Sequence, residues 1–154
     1  MSAIVTSVIA VLGTLLGSTV THVFQQRSAR RTERAGQEER LRQERLAAYG
    51  AYAGLLVEFR QAVFHHWTCL HEGEDAADET AIRRRSFELR SATQHALFQV
   101  LLSTGSPAVA AAAEEAFTAI GKVDRAVDRP DLIARRDATR DLVDAFVATA
   151  RAHL

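Results

Sequence analysis

A run of 23 residues without Asp, Glu, Lys or Arg, from Ser2 to Phe24, most constrains how this chain can fold. A helix rises about 1.5 Å per residue, so the run would span roughly 34 Å, enough for a bilayer core of about 30 Å. Its second half carries Ser, Thr and His22, and hydroxyl side chains can bond back to helix carbonyls. We therefore predict a transmembrane helix over residues 1–24.

Arginines follow the run directly and predict its orientation. Six arginines lie between residues 25 and 42, and no Lys or Arg precedes the run. The positive-inside bias then places the N-terminus outside the cell membrane and the rest of this single-pass protein in the cytoplasm. A cleaved secretory signal or a buried soluble helix would be the alternatives, but a signal favours basic residues before its apolar core.

The first four of these arginines also suggest contact with lipid. The segment 27–34 contains four arginines and Glu33, and such a basic cluster can bind anionic headgroups. The simpler interpretation is that the cluster only determines topology. The residues concerned are Arg27, Arg30, Arg31 and Arg34.

One face of the predicted span consists of small residues at spacings of three and four. Small residues let membrane helices approach closely, and Gly13 and Gly17 form a G-x-x-x-G pair within this face. We predict association with a second copy or with another membrane helix, although glycine is also common in membrane helices generally. The association face comprises Ala3, Thr6, Ala10, Gly13, Gly17 and Thr21.

Composition excludes several classes of protein. The formal net charge is zero and aromatic residues are missing from the basic segment, so we expect no direct nucleic-acid binding. The single cysteine, Cys69, cannot form an intramolecular disulfide and suits a reducing compartment. Alternating strand patterns are absent after the span, which predicts an all-helical remainder.

The remainder is predicted to form a charged stalk and a helical domain. The stalk covers residues 25–36 and continues the membrane helix, and residues 37–154 form the domain. Breaks at the acidic segment 72–79, at Gly105–Pro107 and at Pro130 divide this domain into four helices, of about 37–70, 79–102, 107–127 and 130–154. Four amphipathic helices with short connections predict an antiparallel up-down-up-down four-helix bundle.

Apolar residues at helical spacing identify the expected core of the bundle. Gly50 and Gly54 form a second small pair, which would let a neighbouring helix approach. The expected core residues are Tyr49, Tyr52, Leu56, Phe59, Val63, Trp67, Leu70, Ile82, Leu89, Ala96, Leu97, Val100, Leu101, Val109, Ala112, Ala113, Ala116, Phe117, Ile120, Val123, Val127, Leu132, Ile133, Leu142, Val143, Phe146, Ala150 and Leu154.

No residue pattern indicates catalysis or a cofactor. The densest group of possible ligands is His65, Cys69 and the nearby His66 and His71, to which His95 might be added from the second helix. These residues lack the paired spacings of zinc modules, and a cysteine near Trp67 is usually apolar filling. A Cys–His nucleophile would lack an orienting group, and no nucleotide-binding loop occurs. We expect neither metal, cofactor nor enzymatic activity.

The N-terminal sequence resembles a known family. The segments MSAIVTSVIAVLGTLLGSTVTHVFQQR and ERLRQERLAAY resemble the start of KilB-like small membrane proteins of actinobacterial conjugative plasmids and integrated elements. The resemblance is best over residues 1 to about 60. It implies a membrane-associated protein linked to plasmid transfer and spread through the mycelium, and it supplies no catalytic residues.

These observations together predict a non-enzymatic, oligomeric membrane scaffold. The family resemblance implies that this scaffold acts in plasmid transfer. Its expected partners are membrane lipids and a second copy or another membrane protein. Two alternatives remain: a membrane-permeabilising, holin-like toxin that acts through the span, and a membrane-tethered sensor whose bundle binds a ligand. Arg83, Arg84 and Arg85 open the second bundle helix, either as an anion or partner patch or as a solvated first turn.

Overall fold

The computed structural model describes the backbone of residues 2–73 and 79–154, and the side chains of residues 33–34, 36–73 and 79–154. Four α-helices follow one another: α1 (Ser2–Glu72), α2 (Glu79–Ser103), α3 (Pro107–Ile120) and α4 (Arg129–Ala152), with a 3-10 helix (Val123–Arg125) before α4. The described chain is thus all-helical, as predicted.

The chain divides into two compact units, Met1–Leu41 and Arg42–Leu154. In the first unit, the described side chains at 33–34 and 36–41 are exposed, Arg34 among them. The predicted span Ser2–Phe24, its small-residue association face and Arg27, Arg30 and Arg31 lie outside the described side chains, so these remain predictions. No helix in the part of the chain with described side chains is both long and apolar enough to cross a membrane.

Helix ends follow the turn chemistry of the sequence at two of the breaks. Gly73 has a φ of 67°, the left-handed conformation in which glycine ends a helix such as α1. At the start of α4, the Asp128 carboxylate accepts a hydrogen bond from the backbone N–H of Asp131 (2.8 Å), and Pro130 occupies the first turn. The predicted restart at Pro130 is confirmed.

Helix α3 is shorter than predicted, since it ends at Ile120 rather than near Val127. The backbone N–H groups of Gly121 and Lys122 bond to the carbonyls of Phe117 and Ala119, which tightens the chain toward the following 3-10 helix. This turn keeps Val123 buried but leaves Val127 83% exposed. The prediction that Val127 belongs to the core was therefore wrong.

The predicted apolar stripes form most of one hydrophobic core within Arg42–Leu154. The stripe of α1 is buried from Tyr49 to Trp67, but Leu70, near the end of that helix, is half-exposed. Ile133 of α4 is also exposed, because its neighbour Leu132 occupies the inward position. The fully buried large side chains are Tyr52, Leu56, Phe59, Val100, Val109, Ile120, Val123, Leu132 and Phe146.

Contacts between α1 and α2 run in opposite directions along the two helices. The Arg45 Nε donates to the carbonyl of Ser103 at 3.0 Å. Further along α1 and earlier in α2, the Thr93 hydroxyl lies 3.3 Å from the carbonyl of Leu55. Since residue numbers rise on one helix as they fall on the other, α1 and α2 are antiparallel here.

Contacts between α1 and α4 are likewise antiparallel. The Tyr52 and Phe146 rings meet edge to face with centroids 5.2 Å apart. At the other end of this pair of helices, Glu72 forms an ion pair with Arg129. Helix α1 therefore packs against both α2 and α4 in a helical bundle, with its aromatic residues between them.

Helix α3 also packs against the aromatic residues of α1. The Tyr52 hydroxyl donates a 2.8 Å hydrogen bond to the carbonyl of Ala113. The rings of Phe59 and Phe117 lie 5.9 Å apart. Alanines at 113 and 116 are fully buried, and their small volume lets α3 approach the large aromatic residues of α1.

The buried Tyr52 hydroxyl predicts a loss of stability at alkaline pH. Burial, with a contribution from Glu114, raises the pKa of Tyr52 above its ordinary value of 10.0. Above about pH 10 the unfolded state loses the phenol proton while the folded state keeps it, so the free energy of unfolding should fall by about 1.4 kcal/mol per pH unit. Urea unfolding followed by Trp67 fluorescence should show this slope, and Tyr52→Phe should reduce it. An unchanged slope in Tyr52→Phe would contradict this assignment.

Candidate interaction surface

Helix α2 carries large apolar side chains on the side that faces away from the core. Phe87 is 64% exposed, Phe98 is 51% exposed and Leu102 is 89% exposed. Spacings of eleven and four residues place all three on one face of a helix with about 3.6 residues per turn. We call Phe87, Phe98 and Leu102 the α2 outer face.

The opposite side of α2 explains why these residues stay outside. Leu89, Ala96 and Val100 are buried against the other helices. Thr93 is buried among them because its hydroxyl bonds to the carbonyl of Leu89 at 2.6 Å. Phe98 and Leu102, one turn apart, are therefore exposed together, and Phe87 lies three turns earlier on the same face, beyond Ser91 and Gln94. Exposed apolar surface that forms a patch marks binding sites.

A basic cleft lies at the Phe87 end of the α2 outer face. It has a volume of about 70 Å³ and is lined by residues of α1, α2 and the segment after α3. Arg83 and Arg90 contribute two positive charges to it, and Asp124 contributes one negative charge. Neither arginine forms an ion pair with any residue that the structure describes. The lining is Phe59, Val63, His66, Arg83, Ser86, Phe87, Arg90, Gly121 and Asp124.

The three arginines that open α2 do not act as one patch. Arg84 lies 3.8 Å from Glu88 on its own helix, and Arg85 lies 3.5 Å from Glu58 of α1. These two are paired surface charges, which fits the interpretation of a solvated first turn. Arg83 differs because it lines the cleft.

The candidate metal ligands are not brought together. Cys69 is buried, His65 and His95 are exposed, and His95 lies within 3.4 Å of Gln99 on its own helix. His71 stacks on Trp67 with the ring centroids 4.2 Å apart. Among the residues that the structure describes, no group of three or more His, Cys, Asp or Glu could hold a metal ion.

His66 lines the basic cleft, and its Nε2 is buried with no hydrogen-bond partner among the described atoms. An unpaired buried nitrogen costs about 1–3 kcal/mol. His66 belongs to the predicted group of possible ligands, and its place in the cleft follows from the packing of α1 against α2.

Gly50 and Gly54 do not receive a neighbouring helix within the described structure. An added Cβ at either glycine would meet no atom within 4 Å. Both residues are exposed on α1. Within the described residues, no neighbouring helix lies against this small pair, so the predicted approach of a helix stays a prediction.

The sequence contained a signal for the α2 outer face. Phe87, Phe98 and Leu102 lie off the core stripe that the apolar spacing of α2 predicts, and two phenylalanines eleven residues apart lie on one helical face. Apolar spacing alone does not distinguish an exposed apolar face from a core face, because that depends on where the neighbouring helices pack.

The fold defines a helical-bundle protein with an exposed apolar surface. The family model of the KilB plasmid transfer protein matches residues 46–154. The chain therefore belongs to the KilB plasmid transfer protein family. The predicted family is confirmed, and the match covers residues 46–154, whereas the resemblance was best over residues 1 to about 60.

Comparison with curated proteins and with solved structures found no match to this chain.

Proposed function

We propose that this protein is a non-enzymatic, membrane-anchored accessory of plasmid transfer that docks a partner protein on the α2 outer face. The exposure of Phe87, Phe98 and Leu102 within the domain matched by the family is the observation that carries this proposal. Aromatic side chains contribute much of the energy at protein interfaces. Arg83 and Arg90 beside Phe87 favour a partner segment in which acidic residues flank apolar ones.

The membrane anchor in this proposal is inferred from the sequence. Residues 1–24 cross the membrane with the N-terminus outside, and Arg27, Arg30, Arg31 and Arg34 lie at the anionic cytoplasmic surface. Residues 25–36 form the stalk, and residues 37–154 form an up-down-up-down bundle in the cytoplasm. The antiparallel contacts of α1 with α2 and with α4 support this order of helices.

The extent of the family match favours an accessory over a holin-like toxin. A toxin that acted through its span would need only the first residues of the chain. The family model instead matches residues 46–154, which lie beyond the predicted span. A role in which the helical domain makes the specific contacts accounts for this match, and the span then serves to anchor and assemble the protein.

Assembly through the span can be tested with Gly13→Leu and Gly17→Leu combined. Leucine would hold the two membrane helices apart, so we expect loss of cross-linked oligomers and loss of plasmid transfer when this variant replaces the wild-type chain in donor cells. Val8→Leu with Val11→Leu also places two leucines in the span, but on the opposite side of the same helix, and should leave both readouts unchanged.

Two outcomes would contradict the assembly proposal. One is normal cross-linking of the Gly13→Leu, Gly17→Leu chain. The other is an equal loss of transfer in the Val8→Leu, Val11→Leu control. That result would show that substitutions anywhere in the span reduce transfer, not only those on the small-residue face. Detection of each variant in the membrane fraction ensures that transfer is compared between chains that reach the same compartment.

A further inference from the structure

A second concave site lies between α1 and α4, away from the α2 outer face. It is an open groove of about 330 Å³ lined by Arg60, Gln61 and Phe64 of α1 and by Arg136, Asp137 and Arg140 of α4. Three arginines against one aspartate leave this lining with an excess of two positive charges. Its volume falls at the lower end of the range of small-ligand pockets, about 300–1,000 Å³.

Arg136 is held in place inside the groove. Its guanidinium lies over the Phe64 ring with Cζ 5.1 Å from the ring centroid. Its Nε and Nη2 donate to Oδ1 of Asp137 at 3.1 and 3.0 Å. Because the ring contact and the hydrogen bonds already restrict this guanidinium, binding an anion costs it little additional conformational entropy.

The other two arginines lack a counter-charge. Neither Arg60 nor Arg140 forms an ion pair or hydrogen bond with any residue that the structure describes. Arg136 and Arg140 are four residues apart on α4, a spacing at which like charges repel. Arg60 adds a third positive charge from the facing helix. A bound anion would offset this repulsion.

We propose that the groove of Arg60, Arg136 and Arg140 binds a phosphate group. Three guanidinium groups from two helices present more donors than the two oxygens of a carboxylate can accept. A phosphate offers three or more acceptor oxygens in a tetrahedral arrangement and pairs well with the planar fork of arginine. The phosphate can belong to a soluble nucleotide or to a phospholipid headgroup, since both present the same chemistry to the groove.

The test is titration calorimetry on the full chain in a neutral detergent, at low salt. The probes are inorganic pyrophosphate, adenosine diphosphate and a short-chain phosphatidylglycerol that stays monomeric. Arg60→Gln and Arg140→Gln should each weaken binding about tenfold, because each removes charge-assisted hydrogen bonds. Arg151→Gln, which removes an exposed arginine of α4 outside the groove, should bind as the wild type does.

The pattern of binding identifies the source of the phosphate. Binding of pyrophosphate and the nucleotide without the lipid indicates a soluble ligand, and binding of the lipid without the nucleotide indicates a headgroup. Binding of none of the three overturns the proposal. So does binding that Arg60→Gln and Arg140→Gln leave unchanged, or that Arg151→Gln weakens equally. Matching unfolding curves for the variants exclude a loss of fold as the cause.

Discussion

Phe146→Ala is expected to lower the free energy of unfolding by about 3–5 kcal/mol, the usual cost of removing a buried phenylalanine. Phe146 has no exposed surface, and its ring meets Tyr49 and Tyr52 edge to face at 6.3 and 5.2 Å. Alanine would leave a cavity where α1 packs against α4. Domains of this size are stable by roughly 5–15 kcal/mol, so the variant should be near the limit of folding.

Urea unfolding of the full chain, followed by Trp67 fluorescence, measures this effect. Trp67 is the only tryptophan and is buried in the same domain. Val147→Ala is the matched control, because Val147 is the next residue on α4 and is 46% exposed. It should change stability by less than about 0.5 kcal/mol. A loss below about 1 kcal/mol in Phe146→Ala would contradict the packing of α4 on α1.

Phe87→Ser combined with Phe98→Ser should weaken docking of the partner by nearly a thousandfold, and so lower plasmid transfer sharply, with little change in folding. Central aromatic residues of an interface contribute about 2 kcal/mol or more each, and about 1.4 kcal/mol corresponds to a tenfold change in affinity. Both side chains are more than half exposed, so their loss leaves the core intact. The measurement is transfer frequency from donor cells in which the variant replaces the wild-type chain.

A matched control distinguishes the α2 outer face from exposed apolar surface in general. Ile133→Ser with Val147→Ser removes two exposed apolar side chains from α4. This control should transfer as the wild type does. Normal transfer by the Phe87→Ser, Phe98→Ser chain would contradict docking on α2. An equal loss of transfer in the α4 control would show that the defect is not specific to the α2 outer face.

Periodicity predicted the core of the helical domain well, because a residue's position on a helix face depends on local spacing. Tyr52, Leu56 and Phe59 of α1 are buried as their spacing indicates. The exposure of Leu70 and Val127 was not predictable, since it depends on where α1 and α3 stop relative to their neighbours. The end of a helix depends on competing hydrogen bonds over a few residues, which apolar spacing does not report.

The proposed binding surfaces were harder to predict than the core. Arg60 and Arg140 are 80 residues apart in the sequence, and nothing local connects them. Only the antiparallel packing of α1 on α4 brings them to one groove. Sequence spacing shows that Phe87 and Phe98 share one face of a single helix. A site assembled from two helices can be identified only from the tertiary structure.

The burial of Cys69 gives this protein an internal reporter of its own opening. The thiol is the only one in the chain and is 4% exposed. A bulky alkylating reagent can reach it only when α1 separates from its neighbours, so the labelling rate measures how often the bundle opens. For the same reason, folded copies cannot be joined through this cysteine, and disulfide-linked dimers would reveal chains that had lost their native packing.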